Sequence, residues 1–239
     1  MPQMGEKPDG ENMPQDTTTD ESGTSTKGIK AGGGMYLNGG TYQIDSADDS
    51  IHSNANITIA DGTYTLATGD DGVHADDALI VNGGTITVTE SYEGLEGLAV
   101  TINDGTIDIT ASDDGINTAG EKMELNGGYI HILAGGDGVD SNGDLTINGG
   151  EIYIDGPSDN GNSAIDYGDR SSAYVNGGTL VAIGSSGMAE VMSDSSKQKV
   201  LMVKLGEQME AGNVVLTDSE GNVIVSYTAL KTYDCLIIR

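Results

Sequence analysis

The sequence predicts an all-β chain. The fold class is a right-handed parallel β-helix of about 22 residues per coil and roughly seven coils, with a small C-terminal β segment capping the end. Three observations predict it. One phrase recurs seven times, as LNGGTYQI at Leu37, IADGTYTL at Ile59, IVNGGTIT at Ile80, TINDGTID at Thr101, ELNGGYIH at Glu124, TINGGEIY at Thr146 and YVNGGTLV at Tyr174. The position before the turn pair falls at Asn38, Ala60, Asn82, Asn103, Asn126, Asn148 and Asn176, in steps of 22, 22, 21, 23, 22 and 28. Within each unit apolar residues alternate with polar ones, as in TIDIT, where Ile107 and Ile109 share a face.

Each unit holds three short apolar runs. One follows the NGG turn. A second closes the unit at Ile57 and Ile59, Leu79 and Val81, Val100 and Ile102, Leu145 and Ile147. The third centres on Ile51, Val73, Leu95, Ile116, Val139 and Ile165. Three strands and three turns in one period make one coil, stacked on the next at roughly 4.8 Å, the spacing of paired strands. A leucine-rich repeat has a similar period but needs a leucine/asparagine consensus that is absent here. The Asn column suits a turn that visits left-handed φ, and its amides can stack into a ladder. Composition agrees: 37 Gly, no Trp and no Phe, where a conventional core of this length would use large rings.

In chain order, residues 1–26 are Pro, Gly, Asp, Glu, Thr and Ser with almost no large apolar residue, and read as a disordered acidic linker. A linker with no domain before it suggests a piece of a longer chain. Residues 27–190 read as the β-helix, with the segment GPSDNGNSAIDYGDRSSAY inserted in the sixth coil. Residues 191–239 read as the cap: VLMVKL, NVVLTDSEGNVIVSY and CLIIR are strands, and Asp218 to Gly221 is a hairpin turn. An open coil end is an exposed sheet edge that invites polymerisation, so a cap has a purpose, and a capped solenoid is expected to be a monomer.

The formal charge is −28. That disfavours nucleic acid and anionic membranes as partners, and favours cations. The single cysteine, Cys235, excludes an internal disulfide. No apolar run is long enough for a membrane span, and MPQMGEKPDG lacks the basic and apolar segments of a signal peptide.

The chemistry lies in mid-coil. Aligned on the third apolar run, the copies read ADDSIHS, GDDGVHA, SYEGLEG, SDDGINT and GGDGVDS, with NSAIDYG a worn sixth. A first acid row is Asp49, Asp71, Glu93, Asp114 and Asp137. A second row is His52, His74, Glu96, Asn117, Asp140 and Asp166, and Asp48, Asp70 and Asp113 add a third acid. Stacking sets like charges roughly 4.8 Å apart, which a hard divalent cation would neutralise. The oxygen-rich set fits calcium and argues against zinc or copper. The best-furnished gaps are Asp71 with Glu93 and Glu96, Glu93 with Asp113, Asp114 and Asn117, and Asp114 with Asp137 and Asp140. Solvated turn acids are the plainer alternative, since Asp-Gly is common turn chemistry. His52 and His74 sit in adjacent coils and read as surface residues at a solvent edge, with a transition-metal pair as the other possibility.

NGGT turns, SADDSIHS, GDDGVHA, SYEGLEG, SDDGIN, GDGVDSNG and the late VNGGTL and GSSGMA together resemble a bacterial secreted β-helix family. This is the carbohydrate-binding family described as binding cellulose and acidic sugars such as polygalacturonate. Its fold is similar to that of pectate-type polysaccharide lyases. The resemblance covers about Lys27 to Arg239, and the chain looks like the family's C-terminal half. It implies calcium on the acidic rows and an extracellular or cell-surface location.

A β-helix lyase needs calcium to acidify the uronate α-proton and a Lys or Arg to remove it. Between Asn38 and Glu190 only Lys122 and Arg170 are basic in that sense, and neither is in the acidic rows. A non-catalytic polysaccharide-binding module is therefore favoured over a calcium-dependent lyase, with a structural surface or adhesin solenoid as a further alternative. Thr41, Thr63, Thr85 and Thr106 form a column of the kind used by ice-binding solenoids, but Tyr129 and Glu151 interrupt it. Tyr92, Tyr129, Tyr153 and Tyr167 are the candidate sugar-stacking rings, whereas Tyr42 and Tyr64 alternate as inward residues.

Overall fold

The computed structural model describes residues 25–120 and 122–239. All but the last two residues of the expected acidic linker lie outside them. The described chain is built from strands and turns without a helix. Strands β1 (Ile29–Ala31), β2 (Met35–Ser46), β3 (Ile51–Ser53), β4 (Ile57–Thr68), β5 (Val73–Val81), β6 (Thr85–Glu90) and β7 (Leu95–Ile102) open the coils. They continue as β8 (Thr106–Ala111), β9 (Ile116–Thr118), β10 (Met123–Leu125), β11 (Tyr129–Ala134), β12 (Val139–Ser141) and β13 (Leu145–Ile147). The last coil strands are β14 (Glu151–Asp155), β15 (Ile165–Tyr167), β16 (Ala173–Val175) and β17 (Thr179–Gly184). Then come β18 (Leu201–Met209), β19 (Gly212–Thr217), β20 (Val223–Ala229) and β21 (Tyr233–Ile238).

Coil strands pair in parallel with their counterparts one turn away. On the first face Ile29, Ile51, Val73, Leu95, Ile116, Val139 and Ile165 are consecutive register partners. From Ile29 to Ile165 that is about six complete turns, close to the seven coils expected from the repeat. The second face stacks Ile59, Val81, Ile102, Leu125, Ile147 and Val175, and the third stacks Ile86, Ile107, Ile130, Ile152 and Leu180. These columns fill the bore and are almost wholly buried. Each such side chain contributes roughly 1.5–3 kcal/mol relative to exposure. Tyr64 is buried with them and stacks on Tyr42 at 5.0 Å, as the inward alternation implies.

The NGG turns are the corner of the coil. The last glycine of each turn has positive φ, for example +84° at Gly128. A Cβ at Gly128 would lie 2.6 Å from the Gly105 carbonyl oxygen, so both backbone conformation and coil spacing require glycine there. The asparagine before it repays the turn. Asn103, Asn126, Asn148 and Asn176 each donate a side-chain amide to the side-chain Oδ1 of Asn82, Asn103, Asn126 and Asn148 in turn, at 2.8, 2.8, 2.8 and 3.0 Å. The expected amide ladder is formed.

At the C-terminal end the third face would expose β17. Strand β21 pairs with it antiparallel, from Val181 opposite Ile238 to Gly184 opposite Cys235, and β18 pairs with the far side of β21. The hairpin β19–β20 forms a separate two-stranded sheet. The cap also reaches over the outer face of the coils. Val181 and Ile183 occupy the register positions held by Tyr153 and Asp155 one coil earlier. They are apolar because Val214, Val225, Tyr233 and Leu236 cover them.

Candidate functional site: the acidic face

The acids before the first face are fixed by a repeated backbone bond. Asp49 Oδ1 accepts the Asp71 amide at 3.2 Å, and Asp71 Oδ1 accepts the Glu93 amide at 3.3 Å. Asp114 Oδ1 accepts the Asp137 amide at 2.6 Å, and Asp137 Oδ1 accepts the Ser163 amide. One oxygen of each aspartate thus ties its coil to the next. This gives the first acid row a structural reason of its own. It also fixes how each carboxylate presents its second oxygen to the neighbouring acids.

The structure brings Asp114, Asp137 and Asp140 together, with one ligand atom of each within 4.8 Å of the others. Asp71 and Glu96 meet in the same way, with His74 as the third member. Glu93 accepts the Asn117 amide at 3.0 Å, which leaves Asn117 Oδ1 buried without a hydrogen-bond partner. The electrostatics reflect the crowding. Burial, then the surrounding carboxylates, push Asp114 up to about 7. Burial pushes Asp137 up to about 8, with Asp114, Asp166 and Asp140 adding to the rise and the Ser163 amide opposing it. Glu93 is also displaced upward, by burial and then by Glu96 and Asp71. For Glu96 burial is again the main cause, and His74 works against it. A buried carbonyl oxygen without a donor, among carboxylates held against their charge, is a donor set that fits a hard divalent cation.

The first two coils differ from the rest. Lys27 Nζ lies 2.9 Å from Asp48 Oδ1 and 2.6 Å from Asp49 Oδ2, all three side chains nearly dry. This corrects the expectation that the acidic rows contain no lysine or arginine. Lys27 stands 22 residues before Asp49, at the first-row position of the incomplete opening coil, and a count of bases that starts at Asn38 passes over it. It is not a ready base, because its ammonium is buried against two carboxylates. His52 and His74 are also not residues of a solvent edge: His52 is fully buried and His74 largely so. His52 Nδ1 bonds Asp49 Oδ2 at 2.8 Å, and His74 Nδ1 lies 3.1 Å from both Asp71 Oδ2 and Glu96 Oε2. Burial disfavours the His74 cation, but Asp71, Glu96 and Asp49 outweigh it and raise the ring to about 9.

A second feature lies on another edge. Asp104, Thr106, Tyr129, Glu151 and Thr179 line a shallow depression across the stacked glycine turns. Tyr129 is 42 % exposed there. A family model described as carbohydrate-binding domain-containing protein matches residues 6–72 and 70–222. The chain belongs to that family. No curated protein and no solved structure matched the chain.

For a member of the carbohydrate-binding family, the four candidate rings are unequal. Tyr92 is 46 % exposed beside the acids, and the neighbouring Asp113 carboxylate raises its hydroxyl above the usual tyrosine range. Tyr129 presents an open ring, tilted 43° to Tyr153 at 5.7 Å. Tyr153 stacks on Tyr227 of the cap at 5.2 Å, so one ring face is already covered. Tyr167 packs against the core and donates its hydroxyl to the Val191 carbonyl at 2.7 Å. Lys122 is an exposed turn residue, 3.1 Å from Glu124. No helix among the described residues is long and apolar enough to cross a membrane.

Proposed function

We propose that the chain is a non-catalytic polysaccharide-binding module whose acidic face holds calcium between coils. Family membership supports the carbohydrate partner. The observation that carries the metal reading is the buried Asn117 Oδ1 without a hydrogen-bond partner, set among carboxyls displaced upward by burial and mutual repulsion. Asp71, Glu93 and Glu96 would form one oxygen set, Glu93, Asp113, Asp114 and Asn117 a second, and Asp114, Asp137 and Asp140 a third. Bound calcium would supply positive charge to an acidic surface and offer coordination positions to a uronate carboxylate. A neutral glycan such as cellulose would instead use the Tyr129 depression, by ring stacking and hydrogen bonds from Thr106, Glu151 and Thr179. Extracellular modules bind calcium at roughly 0.1–1 mM, so this reading suits a secreted or surface protein.

Polysaccharide pull-down with and without chelator tests the proposal. Polygalacturonate binding should vanish in chelator and in Asp114→Asn, and weaken with salt. Cellulose binding should survive both and fall in Tyr129→Ala. Retention of neither glycan, on a folded chain with calcium, would favour a structural surface solenoid. Ultraviolet-absorbing unsaturated product from polygalacturonate would establish a lyase instead.

A further inference from the structure

We propose that the His131 imidazolium latches the C-terminal cap onto the coils, and that its deprotonation loosens the cap as pH rises. His131 stands where the outer surface passes from open coil to covered coil. Its outward column on the third face runs Thr87, Asp108, His131, Tyr153 and Val181 by register. Tyr153 is stacked on Tyr227 of the cap, and Val181 lies among cap side chains. His131 bridges carboxylates from two other coils. Its Nδ1 lies 2.8 Å from Asp108 Oδ1, and its Nε2 lies 3.7 Å from Asp155 Oδ2. The Asp155 side chain is excluded from water, whereas that of Asp108 is 57 % exposed.

Asp155 is where the cap engages the coils. Its Oδ1 accepts the Leu230 amide at 2.8 Å, and its Oδ2 accepts the Tyr227 hydroxyl. Both donors are neutral, so they satisfy lone pairs and leave a buried charge to be balanced. Lys231 is a cation of the cap nearby, but its Nζ donates to the Ala134 carbonyl oxygen. Burial disfavours that ammonium, with Asp155 and Asp159 opposing the effect. His131 supplies the positive charge from the coil side. The titratable groups around the contact are Asp108 on β8, Tyr129 on β11, Tyr153 and Asp155 on β14, Tyr227 on β20, and Lys231 and Asp159 in the adjoining turns. Burial, then Asp155, pushes the Tyr227 hydroxyl far above the usual tyrosine range, so it stays a donor while His131 titrates.

Asp155 raises the His131 ring above its ordinary value, burial opposes the rise, and Asp108 adds to it. Only the Asp155 part depends on the cap. With the cap undocked that carboxylate meets water, and its pull on the imidazolium is screened. Docking therefore strengthens proton binding at His131, and by linkage the proton strengthens docking. A group raised in the docked state contributes fully below its ordinary pKa, and the contribution is lost as pH rises through the raised one. Cap docking should weaken progressively above about pH 6.5.

The test is limited proteolysis of the full chain in saturating calcium from about pH 6 to about pH 9. A peptide substrate corrects for the protease's own pH dependence. Cutting between the coils and the C-terminal strands should accelerate several-fold over that range. His131→Gln keeps a side-chain amide between the two carboxylates but does not titrate. Its cleavage should be faster than wild type at the acid end and level across the range. Asp108→Asn should move the midpoint to lower pH. Proton NMR of the His131 ring, assigned by its loss in His131→Gln, should titrate with the same midpoint as cleavage. Wild-type cleavage that is level with pH, an unaltered pH dependence in His131→Gln, or a His131 midpoint at the ordinary value would overturn the proposal.

Discussion

Lys27 Nζ lies 2.6 Å from Oδ2 of Asp49, with both side chains almost excluded from water. Asp49 sits below the usual carboxylate range, at about 2. Burial alone would raise it, but the hydrogen bonds from His52 and Lys27 prevail. Replacing Lys27 with Met leaves buried carboxylates without their cation, so Lys27→Met should cost about 3 kcal/mol. Chemical denaturation of the variant measures this. The sign with pH is that of a depressed acid. The stability from Asp49 is present above its unfolded value and is lost as pH falls toward about 2.

The centre of the acid face should respond in the opposite sense. Asp114 and Asp137 are raised to about 7 and about 8, with burial as the first cause. A carboxyl raised on folding stabilises the native state below its unfolded pKa, and that contribution is lost as pH rises toward the folded value. In chelator the melting temperature should therefore fall between about pH 4 and pH 8. Millimolar calcium should oppose the fall, so its stabilising shift should grow with pH. Melting curves across pH, with and without chelator, check both trends. A calcium shift that is absent at every pH would rule out the bound ion.

Gly128→Ala should be among the most damaging single changes in the coils. It places a Cβ 2.6 Å from the Gly105 carbonyl oxygen at a residue with φ of +84°. Neither the turn nor the coil spacing can relax alone, and a loss of about 2–4 kcal/mol is expected. Asn126→Ala, by contrast, removes two exposed ladder bonds beside the same turn and should cost about 1 kcal/mol. Equal losses for the two variants would show that backbone strain is not what demands the glycine.

Asp155 should act as the bolt of the cap. It is buried, accepts the Leu230 amide at 2.8 Å and receives the Tyr227 hydroxyl. Asp155→Ala leaves both donors unmatched, so about 2–3 kcal/mol of cap docking should be lost. Limited proteolysis should then cut first between the coils and the C-terminal strands. An unaltered cleavage pattern would contradict that role.

The coil columns and the amide ladder were legible because both repeat with the period. Once Ile107 and Ile109 share a face, their partners one coil away follow by counting. The gathering of Asp114, Asp137 and Asp140 was legible for the same reason. The position of Lys27, one period before Asp49, was countable too, but its burial against Asp48 and Asp49 was not. The burial of His52 was hidden because spacing alone does not show that Asp49 and His74 pack against its ring. Tyr153 looked open because its stacking partner, Tyr227, lies 74 residues on, in a segment outside the repeat.

By itself the sequence determined the coil length, the three apolar columns, the glycine corner and the acid rows. Each follows from alternation and from a period that places residue i beside its equivalent about 22 positions later. Only the tertiary structure decided which acids meet a cation of the chain, which histidine meets the cap, and which tyrosine remains open. Those outcomes depend on chain ends and the cap. Their contacts follow from where the chain turns back on itself, and no repeat encodes that distance.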